Sequence, residues 1–266
     1  MKQAVRHPIA LTIGGSDSGG GAGIQADLKT FESLGVFGTS VLTCMTAQNP
    51  REVKAVQAST PAFVQKQMEA VFQELRPQAV KTGMLYSGGL IEAILSAWPQ
   101  RKAPALVVDP VMVATSGARL LKPAAIRQLT SRLFPLAALI TPNLDEAKLL
   151  LGRKLLHLED LREGAMDLHF RYGCAVLMKG GHLKREKAAY DVFFDGSQEL
   201  VLSAPFVRGV STHGTGCTYS AAITGYLALG LGLGESVALA KNHITQAIAQ
   251  SVRVGRHWTL NPFWTE

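Results

Sequence analysis

Cysteine is scarce in this chain: Cys44, Cys174 and Cys217 are its only three in 266 residues. They stand too far apart for a disulfide framework, and no CxxC pair offers a zinc site, so a reducing compartment is expected. Charge is also thin, 18% against 47% hydrophobic residues, which excludes a disordered composition. Gly-Lys occurs nowhere, so there is no GxxxxGK[ST] phosphate loop, and neither a GxSxG elbow nor an HExxH pair is present. Lys2 and Arg6 precede an apolar run, Ile9 to Ile13, shorter than the roughly 7 to 15 residues of a secretory core. No export is expected, and the location should be cytoplasmic.

The formal charge of +7 has the sign that attracts nucleic acid, anionic membranes or phosphorylated ligands. Lys and Arg are scattered, however, and the densest run, Lys184-Arg185-Glu186-Lys187, is broken by an acid. That argues against a nucleic-acid partner. Residues 209–234 carry no Asp, Glu, Lys or Arg and are long enough to span a bilayer. Glycines at 214, 216, 225, 230, 232 and 234 make a loop followed by a buried helix the better reading, so no membrane partner is expected.

What is present is an alternation of short Val- and Ile-rich runs with stretches of helical period, the pattern of βαβ units around a mainly parallel sheet. Strands are predicted at Ile9 to Ile13, Val41 to Thr46, Ala79 to Thr82, Leu106 to Asp109, Leu139 to Thr141 and Ala175 to Lys179. Their near-continuous apolarity fits strands covered on both faces. Helices are predicted at Ile24 to Leu34, Pro61 to Leu75, Leu90 to Trp98, Ala124 to Leu133, Asp145 to Leu151, Asp160 to Tyr172 and Tyr219 to Leu229. Phe193 to Leu202, with Asp195-Gly196 at its centre, reads as a β-hairpin. No repeat or Pro/Ser-rich linker appears, so one domain over 1–266 is expected.

Several strands end in polar or glycine-bearing turns, from Gly14-Gly15-Ser16-Asp17 and Gln48-Asn49-Pro50 to Asp109-Pro110-Val111-Met112 and Lys179-Gly180-Gly181-His182. Ligands of open α/β sheets bind outside the carboxyl ends of strands, so these turns should share one site. The sharpest segment, Ser211-Thr212-His213-Gly214-Thr215-Gly216-Cys217-Thr218, opens a helix. Glycines there let amides turn toward a ligand, and the helix start favours an anion. The same field should lower the Cys217 thiol toward neutrality. A second glycine-rich stretch, Gly21-Ala22-Gly23-Ile24-Gln25-Ala26, matches a loosened dinucleotide pattern without the expected acid at a second strand end, which keeps an oxidoreductase as an alternative.

Phosphoryl transfer needs backbone donors, a cation, a metal site and a proton acceptor. Gly214, Thr215, Gly216 and Cys217 can supply the first, Lys179 the second, Asp109, Asn143 and Glu146 the third, and Cys217 the last.

The ordered motifs Ala22-Gly23-Ile24-Gln25-Ala26-Asp27-Leu28-Lys29-Thr30, Thr46-Ala47-Gln48-Asn49, Gly83-Met84-Leu85, Asp109-Pro110-Val111-Met112, Ile140-Thr141-Pro142-Asn143, Lys179-Gly180-Gly181-His182 and Thr212-His213-Gly214-Thr215-Gly216-Cys217-Thr218 resemble those of bacterial hydroxymethylpyrimidine/phosphomethylpyrimidine kinases, within the ribokinase-like superfamily. The resemblance spans nearly the whole chain. It implies a three-layer α/β fold with a mainly parallel central sheet, flanking helices and a small β-hairpin. It implies two successive phosphorylations with ATP and Mg²⁺, in a homodimer. Gln48 would read the pyrimidine edge, with Gly15, Ala22, Asp27, Met84 and Val111 lining the pocket. Asn143, Lys179, Thr212, Gly214 and Gly216 would hold ATP and its phosphates, and Asp109 and Glu146 the metal. Thr115, Ala118, Asp145, Ser211, Pro50-Arg51-Glu52 and Arg256-His257-Trp258 depart from the family pattern, at loop edges that bear on the second phosphorylation more than the first. A pyridoxal kinase of the same superfamily and an idle pyrimidine-binding protein stay open as alternatives.

Overall fold

The structure, a computed structural model, describes residues 7–113, 120–181, 183, 186–207, 209–210 and 213–264. Along the chain run β1 (Ile9–Asp17), α1 (Gly23–Ser33), β2 (Phe37–Gln48), β3 (Val53–Ala58), α2 (Pro61–Glu74), β4 (Ala79–Thr82), α3 (Gly88–Ala97), β5 (Ala105–Val108) and α4 (Pro123–Gln128), which runs on into a π-helical turn, Leu129–Leu133. Then follow β6 (Leu139–Ile140), α5 (Leu144–Leu151), α6 (Leu158–Tyr172), β7 (Ala175–Lys179), β8 (Ala189–Phe194), β9 (Glu199–Ala204), α7 (Thr215–Ala228), α8 (Leu233–Ala249), β10 (Val252–Val254) and β11 (His257–Thr259).

Nine strands form one sheet in the order β3-β2-β1-β4-β5-β6-β7-β8-β9. β2, β1, β4, β5, β6 and β7 run parallel, while β3 pairs antiparallel with β2 at one edge and, at the other, β8 pairs antiparallel with both β7 and β9. Residue alternation sets the three layers. Leu106 and Val108 of β5 face α2 to α6 with Val64, Ile91, Leu129 and Leu161, whereas Val107 faces α7 and α8 with Ile223 and Ile244. Phe31 of α1 joins Ala221 on that second face. Both faces of the inner parallel strands β1, β4, β5, β6 and β7 are therefore dry, which explains their near-continuous apolar sequence, whereas β2, next to the edge, alternates buried with partly exposed positions.

The hairpin expected around Asp195-Gly196 is present, as β8 and β9 at the edge of the main sheet, its turn closed by Asp195 Oδ1 accepting from the Ser197 and Gln198 amides. The small separate hairpin is β10–β11. The helix expected from Tyr219 begins at Thr215, one turn earlier, because Gly214 caps it with a positive φ of 83°. Several elements went unread: β3, exposed at every position and so without alternation, the short strands β10 and β11, and α8. Among the described residues, no helix is long and apolar enough to cross a membrane.

Candidate active site

The carboxyl ends of the six parallel strands lie along one edge of the sheet, and the chain order reverses direction between β1 and β4. Such a reversal opens a crevice for a ligand. Around it stand the ends of β1, β2 and β4, and farther along the edge the ends of β5, β6 and β7. Gly15 on β1 faces Met84 after β4 so closely that a Cβ at Gly15 would lie 2.8 Å from the Met84 methyl. Ala22 sits where the loop after β1 is tied down: Asp17 accepts from the amides of Gly19, Gly21 and Ala22 at 2.8, 3.2 and 2.9 Å. Gln48 ends β2, with its Oε1 accepting from Thr46 at 3.3 Å and its Nε2 3.5 Å from His213 Nε2. His213 Nε2 is also 3.5 Å from Asp17 Oδ2. The ends of β1 and β2 and the glycine-rich helix start therefore meet through His213, a residue named in the motif but given no role by sequence reasoning.

Asp27 is placed differently. It is buried in α1, where one oxygen accepts from Lys81 at 2.5 Å and the other from Thr12 at 2.6 Å. Burial raises its pKa, and the adjacent Lys81 ammonium opposes that rise. Burial works against a charge on Lys81 too, but Asp27, Cys217 and Asp109 outweigh it and hold the ammonium above its ordinary value. Lys81 was read only as part of a strand, yet a fully buried cation in an apolar run is itself a signal, since such groups occur inside only when paired.

Asp109, just past β5, anchors the other half. Its Oδ1 accepts from Lys179 at 2.9 Å and Thr141 at 3.2 Å, and its Oδ2 from Ser220 at 3.1 Å. Burial would raise this carboxyl, but Lys179 and Lys81 overcome it and hold Asp109 below its usual value. Lys179 itself, at the end of β7, is kept above its ordinary value by Asp109 and Glu146 against the opposing effect of burial. Asn143 caps α5, accepting from the amides of Asp145 and Glu146 at 3.0 Å each, while Glu146 Oε2 accepts back from the Asn143 amide at 2.9 Å. This reciprocal capping fixes both side chains at a helix start beside Lys179. Burial, with Asp109 adding to it, pushes the Glu146 carboxyl up to about 8. Val111 follows Asp109 in the same turn, its amide donating to the Asp109 carbonyl at 2.8 Å.

Above this cluster lies the start of α7. Gly214 must be glycine, because a Cβ there would stand 1.9 Å from the Gly21 carbonyl oxygen and its φ is positive. The two glycine-rich loops thus touch. The first bond of the helical ladder runs from the Thr218 amide to the Gly214 carbonyl, so the amides of Thr215, Gly216 and Cys217 precede it. A Cβ at Gly216 would lie 3.4 Å from Lys179 Nζ and 3.7 Å from Asp109 Oδ2. Gly216 and the Lys179 cation therefore border the same small space. Cys217 corrects one expectation: burial pushes its thiol up to about 11, with Asp27 and Asp109 adding to this and Lys81 opposing it. The helix start does not prevail over burial, to which two carboxylates add. Thr212 and His182 lie outside the described residues.

A family model described as phosphomethylpyrimidine kinase matches residues 17–261. The chain is 49% identical over 247 residues to the hydroxymethylpyrimidine/phosphomethylpyrimidine kinase of Rhizobium meliloti, covering 92% of each. It is 48% identical to the thiamine biosynthesis bifunctional protein ThiED of Geobacter sulfurreducens, over 94% of this chain but only 51% of that protein. Among solved structures, pyridoxal kinase of Bacillus subtilis in complex with ADP superposes with a TM-score of 0.88 at 36% identity, covering 96% of this chain and 97% of that one.

Proposed function

The chain belongs to the phosphomethylpyrimidine kinase family, and from that premise we propose that it phosphorylates 4-amino-5-hydroxymethyl-2-methylpyrimidine with ATP, and then phosphorylates the monophosphate, to supply the pyrimidine half of thiamine. One observation carries the reading: the side-chain amide of Gln48 and the phosphate-facing turn at Gly214 are joined through His213, so a base-reading group and an anion cradle border one crevice. In this reading Gln48 holds the aminopyrimidine edge, with Gly15, Ala22, Met84 and Val111 around the ring. Asp27 acts from beneath, through its ion pair with Lys81. The amides of Gly214 to Cys217 and the Lys179 ammonium take the charge that spreads over the transferred phosphoryl group. Cys217, once its own proton has been lost to solvent, receives as a thiolate the hydroxyl proton of the acceptor.

Asp109, Glu146 and Asn143 offer oxygen ligands only, the donor type a hard divalent cation prefers. One or two carboxylates completed by substrate phosphates are the usual way in which Mg²⁺ is held. Bound there, the ion would neutralise phosphate charge. The proposal includes one domain over 1–266, a cytoplasmic location in which the three cysteines stay as thiols, and a homodimer. The dimer reading is supported by β3, an edge strand exposed along its length with Val53 and Val56 outward.

A coupled ADP-release assay with hydroxymethylpyrimidine, its monophosphate and pyridoxal tests the reading. Turnover of both pyrimidines, with pyridoxal slower, is expected. Pyridoxal as the fastest substrate would favour the second reading, a pyridoxal kinase, which the likeness to the Bacillus subtilis enzyme supports. No ADP from any of the three, with NAD(P) bound, would return the oxidoreductase.

A further inference from the structure

Outside the crevice, one buried charged cluster has no part in the chemistry described so far. Asp191 on β8 stands opposite Lys179 in the antiparallel β7–β8 ladder, and its side chain is 5% exposed. One carboxylate oxygen accepts from the amide of Gly180, the residue after Lys179, at 3.0 Å. The other accepts from Lys241 Nζ at 2.7 Å, and Lys241, reaching in from α8, also donates to the Ala189 carbonyl at 3.0 Å. From α7, the buried Tyr219 faces the same carboxylate; burial and then Asp191 keep its phenol protonated. Its hydroxyl completes no hydrogen bond among the described residues.

The cluster therefore touches two of the elements that place the phosphate-binding groups, the end of β7 and α7. Gly180 follows the cation, and Tyr219 lies one turn into the helix whose start forms the anion cradle. The Gly180 backbone has no slack, since a Cβ there would lie 2.6 Å from the Tyr190 carbonyl oxygen and 2.3 Å from Leu161. A buried ion pair is a poor way to gain stability compared with apolar packing. Its two oxygens instead bind one specific amide and one specific ammonium, which fixes a position.

We propose that Asp191, held by Lys241, is a positioning residue that sets where the Lys179 ammonium stands against the start of α7. The inference rests on the reading of Lys179 as the phosphate cation. Asp191 touches neither the acceptor nor the phosphates; it acts through the backbone at Gly180. A displacement on the order of an ångström at such a group can cost about a hundredfold in rate.

The test is a cycle of Asp191→Glu, Lys179→Ala and the double variant, assayed for kcat and for both KM values, with folding followed by thermal melting. Asp191→Glu keeps the charge that pairs Lys241 but moves the acceptor away from Gly180. Expected are a kcat at least tenfold lower, a pyrimidine KM within about twofold of the parent, and less than twofold further loss when the change is added to Lys179→Ala. Lys241→Met, which frees the carboxylate to shift, should show the same dependence on Lys179. Losses that multiply in the double variant would make the cluster merely structural and overturn the proposal. So would unchanged kcat in Asp191→Glu, or failure of both Asp191→Glu and Lys241→Met to fold. If Lys179→Ala alone left kcat intact, the reading of Lys179 would fall instead, a separate result visible in the same data.

Discussion

Cys217 sits where two physical demands collide. A helix start stabilises a thiolate, but burial and the carboxylates of Asp27 and Asp109 push the thiol up to about 11. A group that holds its proton so firmly is a thiol near neutrality, so it must first release that proton to solvent; only the resulting thiolate can take the hydroxyl proton as the oxygen attacks phosphorus. Cys217→Ala should therefore leave a folded protein whose kcat is lower by about 10² to 10⁴, the usual share of a positioned base. Steady-state kinetics decide it: activity within about threefold of the parent would remove Cys217 from that role. Gln48 carries the other residue-scale expectation. Its amide offers a donor and an acceptor to an aminopyrimidine edge, and pyridoxal presents a different edge. Gln48→Met should lower kcat/KM for hydroxymethylpyrimidine at least about tenfold, one net hydrogen bond at roughly 1.4 kcal/mol, while pyridoxal turnover holds or rises. An unchanged ratio between the two substrates would mean that Gln48 merely supports its turn, which the Ser18 hydroxyl bonds to the Gln48 carbonyl at 2.7 Å and amide at 2.8 Å also serve.

At the scale of elements, α7 has two jobs that use different residues. Its buried face, with Ala221, Ala222 and Ile223, packs on the sheet, and its first turn presents amides to the crevice. Gly216 lies within 4 Å of Lys179 Nζ and Asp109 Oδ2 through the space a side chain would fill. Gly216→Val would occupy that space without touching Gln48, so turnover should be lost while pyrimidine binding, followed by calorimetry, stays within about threefold. Equal loss of pyrimidine affinity would show that cradle and base pocket are not separate. The capping of α5 by Asn143 and Glu146 is legible in the sequence as a helix start, and the structure confirms the capping geometry. Its nearness to Lys179 is not legible, because it depends on the pairing of β6 with β7.

At the scale of the whole molecule, stability toward acid has an identifiable contributor in His243 of α8. Burial lowers its pKa to about 4 from 6.5, and its Nε2 has no hydrogen-bond partner among the described residues. The ring is neutral in the folded state, whereas in the unfolded chain it takes a proton near its ordinary value. Between those two values the unfolded state binds more protons, so stability is complete above about pH 6.5 and is lost as pH falls toward 4. The size is roughly 3 kcal/mol at most. His243→Phe should flatten that part of the stability curve, measured by urea unfolding at pH 7 and pH 4.5, and an unchanged slope would exclude the histidine as its source.

The sequence by itself determined the class of the fold, the order of most elements and the chemistry of the turns. Those depend on local facts: unbroken apolar runs for strands buried on both faces, capping residues for helices, glycines where the chain must admit an anion. It also marked Lys179, Asp109 and the segment through Cys217 as belonging together, since parallel strands bring their carboxyl ends to one edge. Tertiary structure alone decided what lies beneath that edge. The pairing of Lys81 with Asp27, separated by 54 residues, and of Lys241 with Asp191, separated by 50, arises from strand order and helix packing, which no local pattern encodes. The same holds for Cys217, whose thiol is pushed up first by burial, with Lys81 of β4 opposing and the carboxylates of α1 and the turn after β5 adding, surroundings that its own helix does not supply. Charge interactions act through space, so their sign is fixed only when the chain has closed around them.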